Sequence, residues 1–563
     1  MKISSDKIKD KKIAYFSMEI GFDTRIPTYS GGLGVLAGDT LKSCADLKVP
    51  VVGLTLLYKK GYYYQKLDER GHQTELPAQW TPSDFLELLQ EKINVKIEGR
   101  NVTVQAWQYN LKSVDGNNTV PILFLDTDIS ENSNYDRSIT DELYGGDEKY
   151  RLAQEIVLGI GGVRILHKLG YTDIKKYHMN EGHSSLLVLE LLRDNKRSEE
   201  QVFDFDKVRN LCVFTTHTPV PAGHDKFSYD LVKNVLGEFL PIDVLKMLAG
   251  EENFNMTLLA LNSSKYINGV AKKHGEVSRE MFPNYSIDSI TNGIHSYSWA
   301  SESFKRLYDK HIPGWAKDPF TLRYTISIPK TEIWNAHLES KRKLIDYVNK
   351  ETNTGMDYET FTIGFARRAS TYKRADLLFF DTPSLINISK VGKIQIIFAG
   401  KAHPKDIPGK EIIKKIFSHM HNLKADIKIA YLENYNIELG RMITSGVDLW
   451  LNTPLRPKEA SGTSGMKASL NGVPNFSILD GWWIEGCIEG ITGWSIGTKS
   501  AEENSDIKDA EDLYIKLQNI IIPMFYKDRE QWLNIMQYSI AFNASFFNTH
   551  RMVHQYVLNA YLD

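Results

Sequence analysis

Short apolar runs alternate with longer amphipathic segments along most of this chain, the pattern of a βα protein. The run "KIAYFSMEI" predicts a strand, and "TYSGGLGVLAGDTLKSCADL" after it predicts a glycine turn leading into a helix. "VPVVGLTLLY" predicts the next strand. "RLAQEIVLGIGGVRILHKLG" predicts a long helix that stops at Gly170, a residue suited to a left-handed cap. "LCVFTTHTPVPAGH" predicts a strand running into a polar loop. After "SIDSITNGIHSYSW" the alternation begins afresh. "FTIGFARRASTYKRADLLFFD" predicts strand, basic loop and helix, "KIQIIFAGKAHP" a strand and loop, and "VDLWLNTP" another strand. The expected class is α/β, with two doubly wound, Rossmann-like halves and a boundary within 292–325. The expected units are 1–300 and 301–563, with a last helix over about 540–563 returning to the first.

Length supports two units, because 563 residues exceed what one core usually holds. A formal net charge of -2 gives no general attraction to nucleic acid or to an anionic membrane. No run of 18 apolar residues offers a membrane span, and the N-terminal stretch lacks the apolar core of a signal peptide. Cys44, Cys212 and Cys487 are scattered and odd in number, so neither a disulfide framework nor a metal site is expected, and a reducing cytoplasm fits.

In open α/β sheets, ligands collect beyond the carboxyl ends of the strands, and four loops fall there. The turn "SGGLG" holds Gly31, Gly32 and Leu33 just before a helix, where backbone N–H groups can meet an anion; a plain tight turn is the alternative. "RRASTYKR" carries four cations in eight residues; Arg368 and Lys373 can converge on phosphate, or the loop is a solvated basic surface. "THTP" and "TNGIH" offer His217 and Asn292 as neutral partners for sugar hydroxyls, or as turn residues. In "EASGTSGMKASLNG", Glu459 and Ser461 can hold hydroxyls, while Thr463 and Ser464 can hold a phosphate at a helix start. Lys467 lies between apolar neighbours near the positive end of that helix. An inward lysine with no acid beside it loses its proton easily and becomes a nucleophilic amine; a snorkelling lysine is the alternative.

Together, "SGGLGVLA", "TNG", "RRASTYKR" and "EASGTSGMKASLNG" resemble the α-glucan phosphorylases in order and spacing, over nearly the whole chain. The wording "GTSGM" and the short length resemble the compact bacterial and archaeal branch. The resemblance implies the two-domain GT-B fold and pyridoxal 5′-phosphate held as a Schiff base on Lys467. It implies Thr463 and Ser464 at the cofactor phosphate, Gly32 beside it and Tyr435 along the ring. Arg368 and Lys373 would bind substrate phosphate, and His217, the third member of the catalytic set, would sit near the sugar's 6-hydroxyl with its backbone carbonyl near the anomeric carbon. Tyr372, Glu459, Ser461, Gly462 and Asn292, with the backbone at Gly31 and Leu33, would hold the reacting sugar.

The implied reaction is retaining transfer of a terminal glucosyl unit from an α-1,4-glucan to inorganic phosphate, giving α-glucose 1-phosphate, with the cofactor's 5′-phosphate as acid–base partner. A cytoplasmic homodimer without the family's N-terminal regulatory segment is the matching expectation. Two departures stand out. Ser464 takes the place of a glycine of the long branch, and Asn436 that of an arginine after Tyr435, so one cation is lost or replaced. The rivals are a nucleotide-sugar-dependent α-glucan synthase of GT-B fold, a glycoside hydrolase using Glu181 and Glu459, and a non-catalytic glycan-binding protein.

Overall fold

The computed structural model describes residues 10–195, 203–497 and 505–562. Two sheets organise it. The first has nine strands: β1 (Ile13–Ser17), β2 (Val51–Leu56), β3 (Glu87–Ile97), β4 (Arg100–Lys112), β5 (Thr119–Asp126), β6 (Lys176–Asn180), β7 (Cys212–Thr215), β8 (Tyr266–Gly269) and β9 (Asp288–Ser289). Their order across the sheet is β9-β8-β7-β6-β1-β2-β5-β4-β3. The second has six: β10 (Phe361–Ala366), β11 (Ile394–Ala399), β12 (Lys428–Leu432), β13 (Leu449–Asn452), β14 (Asn475–Ile478) and β15 (Gly493–Ile496), in the order β12-β11-β10-β13-β14-β15. Every pairing in the second sheet is parallel.

Strands covered on both faces need apolar residues at every position, and β1, β2, β10 and β11 are buried throughout. That is why they stand out as continuous apolar runs. The edge of the first sheet differs: β3 pairs antiparallel with β4, and β4 with β5. The βα alternation does not predict this hairpin, whose β3 alternates exposed and half-buried residues over most of its length.

Helix α1 (Gly32–Asp46) follows the glycine turn as expected. The long helix runs from Glu148 to Leu169 with one wider turn at Val157–Gly161, and Gly170 ends it at φ 91°. The helix expected in "ADLLFFD" is absent. Arg374 turns left-handed at φ 47°, only short 3-10 turns follow, and the helix starts at Thr382 with Pro383 in its first turn.

Helix α2 (Ser464–Leu470) follows the glycine-rich loop after β13. The terminal helix α3 (Thr549–Tyr556) begins later than expected, because Asn548 caps it by accepting from Arg551 N–H. It lies on the first sheet. Tyr556 Oη meets Thr215 Oγ1 at 3.1 Å and Asn268 Nδ2 at 3.0 Å, and Met552 and Tyr556 share a core cluster with Leu36, Val213 and Ile290. The two sheets are also tied through Tyr64–Leu67 and Gln73–Leu76: Gln65 and Gln73 donate to the carbonyls of Gly400 and Ala402, just past β11.

Candidate active site

The second sheet reverses its winding between β10 and β13, which opens a crevice at their carboxyl ends. The loop after β10 carries Arg367 to Arg374, and the loop after β13 leads to Glu459 and α2. Glu459 is the hub: Arg367 Nη2 and Lys373 Nζ each approach its Oε2 at 2.6 Å. Burial alone would raise the Glu459 carboxyl, but the two cations overrule it and bring it down to about 2. Asp480 supports the loop by accepting from Glu459 N–H at 2.9 Å. Tyr372 lies against Lys373, whose ammonium sits 4.4 Å from the ring centre.

The four cations of this loop have separate fates. Arg374 is structural: it is buried, donates to Asp509 and Asp506, and holds the carbonyls of Thr453 and Pro454. Arg368 is exposed and makes no hydrogen bond or ion pair among the described residues. Its guanidinium stands beside Gly31, where a Cβ would lie 3.2 Å from Nη2. Arg367 and Lys373 thus share one carboxylate and Arg368 bonds to none, so the loop offers surplus positive charge, which suits a phosphate dianion.

Lys467 is 7% exposed and has no hydrogen-bonded acceptor among the described residues. Its ammonium lies 3.5 Å from the centre of the Trp299 ring. Trp299 Nε1 in turn donates to Asp39 of α1 at 2.7 Å. Burial is the main reason the Lys467 amine is lowered to about 8; Asp39 opposes the shift, and Lys42 and Arg367 add to it. The inward, uncommitted amine expected from the sequence is therefore present. Gly465 lets α2 come close, since a Cβ there would lie 2.3 Å from Asn475 Oδ1. Thr463 makes no capping bond, and Ser464 Oγ accepts from Trp450 Nε1 at 3.2 Å. Gly462, at φ 85°, packs against the Glu459 side chain. Ser461 Oγ is buried without a partner.

The glycine turn departs from expectation in one respect. Gly31 N–H is not aimed outward: it donates to buried Glu19 at 3.2 Å, as Ser30 N–H does at 2.5 Å. Gly32 and Leu33, in the first turn of α1, have no intrahelical acceptor for their N–H groups, and Gly32 faces open space. The anion-facing part of the turn is thus one residue later than Gly31.

His217 and Asn292 stay with the first sheet. His217 follows β7; its Nε2 meets Asn180 Oδ1 at 2.7 Å and its N–H donates to Glu181 at 2.7 Å. Burial lowers this imidazole to about 3, so it is neutral at ordinary pH. Asn292 leaves Oδ1 buried and unpartnered, while its carbonyl accepts from Arg551 of α3 at 3.0 Å. Tyr435 is partly buried, its phenol pushed up to about 12 by burial with Arg367 opposing. Asn436 does not substitute for a cation; it caps the helix Ile437–Gly446.

Sequence reading missed Arg367, Glu19 and Trp299, and named Glu181 only as a carboxylate of the rival hydrolase. Glu181 accepts from Gly182 N–H, His217 N–H and Thr218 Oγ1 at 3.0, 2.7 and 2.9 Å. It does so at φ 77° and ψ 166°, a region that residues with a side chain seldom enter. With Glu181 occupied as an acceptor and Glu459 clamped by two cations, neither is a proton donor of the hydrolase kind.

Residues 28–143 and 241–491 match the family described as carbohydrate phosphorylase. Maltodextrin phosphorylase of Thermococcus litoralis is 40% identical over 97% of this chain and 70% of its own length. Glycogen phosphorylase of Aquifex aeolicus is 35% identical, over 98% of this chain and 86% of its own. An uncharacterized protein of Methanocaldococcus jannaschii is 33% identical over 98% of this chain and its own full length.

Proposed function

The chain belongs to the carbohydrate phosphorylase family, and on that premise we infer that it is an α-1,4-glucan phosphorylase. The observation that carries this reading is Lys467, a buried and uncommitted amine beside a loop with surplus positive charge. The residues fit pyridoxal 5′-phosphate. Lys467 Nζ would hold the aldehyde carbon, Tyr435 would flank the ring, and Gly32, Thr463 and Ser464 would surround the phosphate, with open space over Gly32. When bound, the cofactor supplies a 5′-phosphate whose second pKa, near ~6, allows proton exchange close to neutrality.

The chain's own groups do the rest. Arg368 binds inorganic phosphate with no competing partner, whereas Lys373 shares itself with Glu459. Tyr372, Glu459, Ser461, Gly462 and Asn292 orient the terminal glucose, and neutral His217 adds a hydrogen bond without a charge. The C1–O4 bond breaks, a C1–O bond to phosphate forms on the same face, and a proton from phosphate passes to the leaving O4. Fixed cations beside developing charge need little rearrangement as the barrier is crossed. The same reading extends to a cytoplasmic homodimer acting on α-1,4-glucan and phosphate. Its units 1–300 and 301–563 would close over the sugar and exclude water. A nucleotide-sugar-dependent synthase on this fold has no use for a buried free amine.

The test is direct. The purified protein should absorb beyond the aromatic region, borohydride should fix that chromophore on Lys467, and maltodextrin with phosphate should yield glucose 1-phosphate. A colourless protein whose Lys467 stays unmodified would end the cofactor assignment. Free glucose formed without phosphate would instead select hydrolysis.

A further inference from the structure

Away from this site, Asp46, His295 and His550 bring three ligand atoms within 4.8 Å of one another. They come from distant segments: the last residue of α1, the loop just past Asn292, and α3. Asp46 Oδ2 is 2.8 Å from His295 Nε2 and 3.6 Å from His550 Nε2. The two rings lie 5.9 Å apart at an angle of 24°. His550 is only 5% exposed, and its Nε2 is buried without a hydrogen-bond partner while facing Asp46.

The surroundings favour a cation. Asp46 ends α1, where helix carbonyls already concentrate negative potential; its Oδ1 accepts from Val114 N–H at 2.7 Å, which leaves Oδ2 turned toward the two imidazoles. The other nitrogen of each imidazole is already held: His550 Nδ1 meets Ser43 Oγ at 3.0 Å, and His295 Nδ1 meets Ser298 Oγ at 2.7 Å. Metal-bound histidines are usually fixed in this way by a partner on the second nitrogen.

We propose that Asp46, His295 and His550 form a zinc site that pins α3 to the C-terminal end of α1. Zinc bonds near 2.1 Å place neighbouring ligand atoms roughly 3.4 Å apart in a tetrahedron. The Asp46–His550 separation is already close to that, and His295 has to draw back slightly from Asp46. Water completes the fourth position. His295 also changes tautomer. Without the ion, Ser298 N–H donates to Nδ1 at 3.3 Å, which leaves the proton on Nε2, pointing at Asp46. On binding, that proton leaves Nε2 and one returns to Nδ1, where it donates to Ser298 Oγ.

The experiment titrates the chelator-treated full chain with zinc sulfate by calorimetry, and with cobalt chloride by visible absorption. One saturable equivalent, a tetrahedral cobalt spectrum and a higher melting temperature with zinc are expected. His550→Gln should weaken zinc by more than about tenfold and abolish the cobalt bands, while melting at the metal-free wild-type temperature. Asp46→Asn serves as the second variant. No saturable binding at micromolar zinc overturns the proposal. So does a cobalt spectrum that is unchanged in His550→Gln, which would place the ion elsewhere, for instance on Cys487.

Discussion

The two sheets contribute opposite chemistry to the candidate site. Loops from the second sheet bring charge: Arg367, Arg368, Lys373, Glu459 and Lys467. Loops from the first bring neutral donors and acceptors, and their carboxylates, Glu19 and Glu181, are spent on backbone N–H groups and neighbouring hydroxyls. One side thus brings fixed charge together with Tyr372, Ser461 and Gly462, and the other brings neutral groups, among them the N–H groups of Gly32 and Leu33. The reaction proposed above, between a phosphate and a sugar, would use both.

The most severe way to break this contrast is Arg368→Ala. It removes an unpaired cation, so catalysis should fall about 10²–10³-fold, or roughly 3 kcal/mol in the barrier, with the melting temperature unchanged. Arg374→Ala, six positions from the free guanidinium of the same loop, should do the reverse. It leaves Asp509 short of a partner and should destabilise the fold by about 3 kcal/mol. Kinetics and thermal melts on both variants decide the matter; equal losses of activity at equal stability would erase the division between free and structural cations.

Next in size is a pH effect on the amine. With Lys467 lowered to about 8, its neutral fraction climbs through that pH and not through the usual range of lysine. Roughly one amine in ten is neutral at pH 7 and nine in ten at pH 9. Uptake of pyridoxal 5′-phosphate by cofactor-free protein, followed by absorbance, should therefore quicken about tenfold across that interval. A flat profile would mean the amine is already neutral at pH 7.

The smallest effect is expected on the neutral side. His217→Asn should cost about 3- to 10-fold in kcat/KM, the worth of one uncharged hydrogen bond. It should leave the pH–rate profile in place, because His217 is neutral down to about 3. Loss of an inflection near neutrality in this variant would make the imidazole a proton carrier.

The parallel strands and the position of each loop were legible in the sequence, because strands buried on both faces leave unbroken apolar runs and the site loops follow them directly. Lys467 was legible too, as a lysine between apolar neighbours after a glycine-rich loop, although it falls in the last turn of the seven-residue α2 and not at its positive end. The β3–β4 hairpin was not, since its long alternation lies on a half-exposed edge between βα units. Why Arg368 and not Arg367 of "RRAS" would be free was hidden, although the sequence reading names Arg368. Successive residues in an extended segment point to opposite sides, so Arg367 turns to Glu459 and Arg368 to Gly31, a choice set by partners more than 90 positions away in one case and 330 in the other. Glu19 looked like a strand residue because its partners, Ser30, Gly31 and Tyr144, are brought to it only by folding.

Helix α3 completes the core beside Leu36, Val213 and Ile290, and Arg551 within it grips the carbonyls of Thr291 and Asn292. During synthesis, then, the part of the molecule that leaves the ribosome first has to wait for a segment made long afterwards. Until that segment arrives, an apolar groove lies open on the nascent chain, and a truncated product would expose to chaperones and proteases the surface that a finished one conceals.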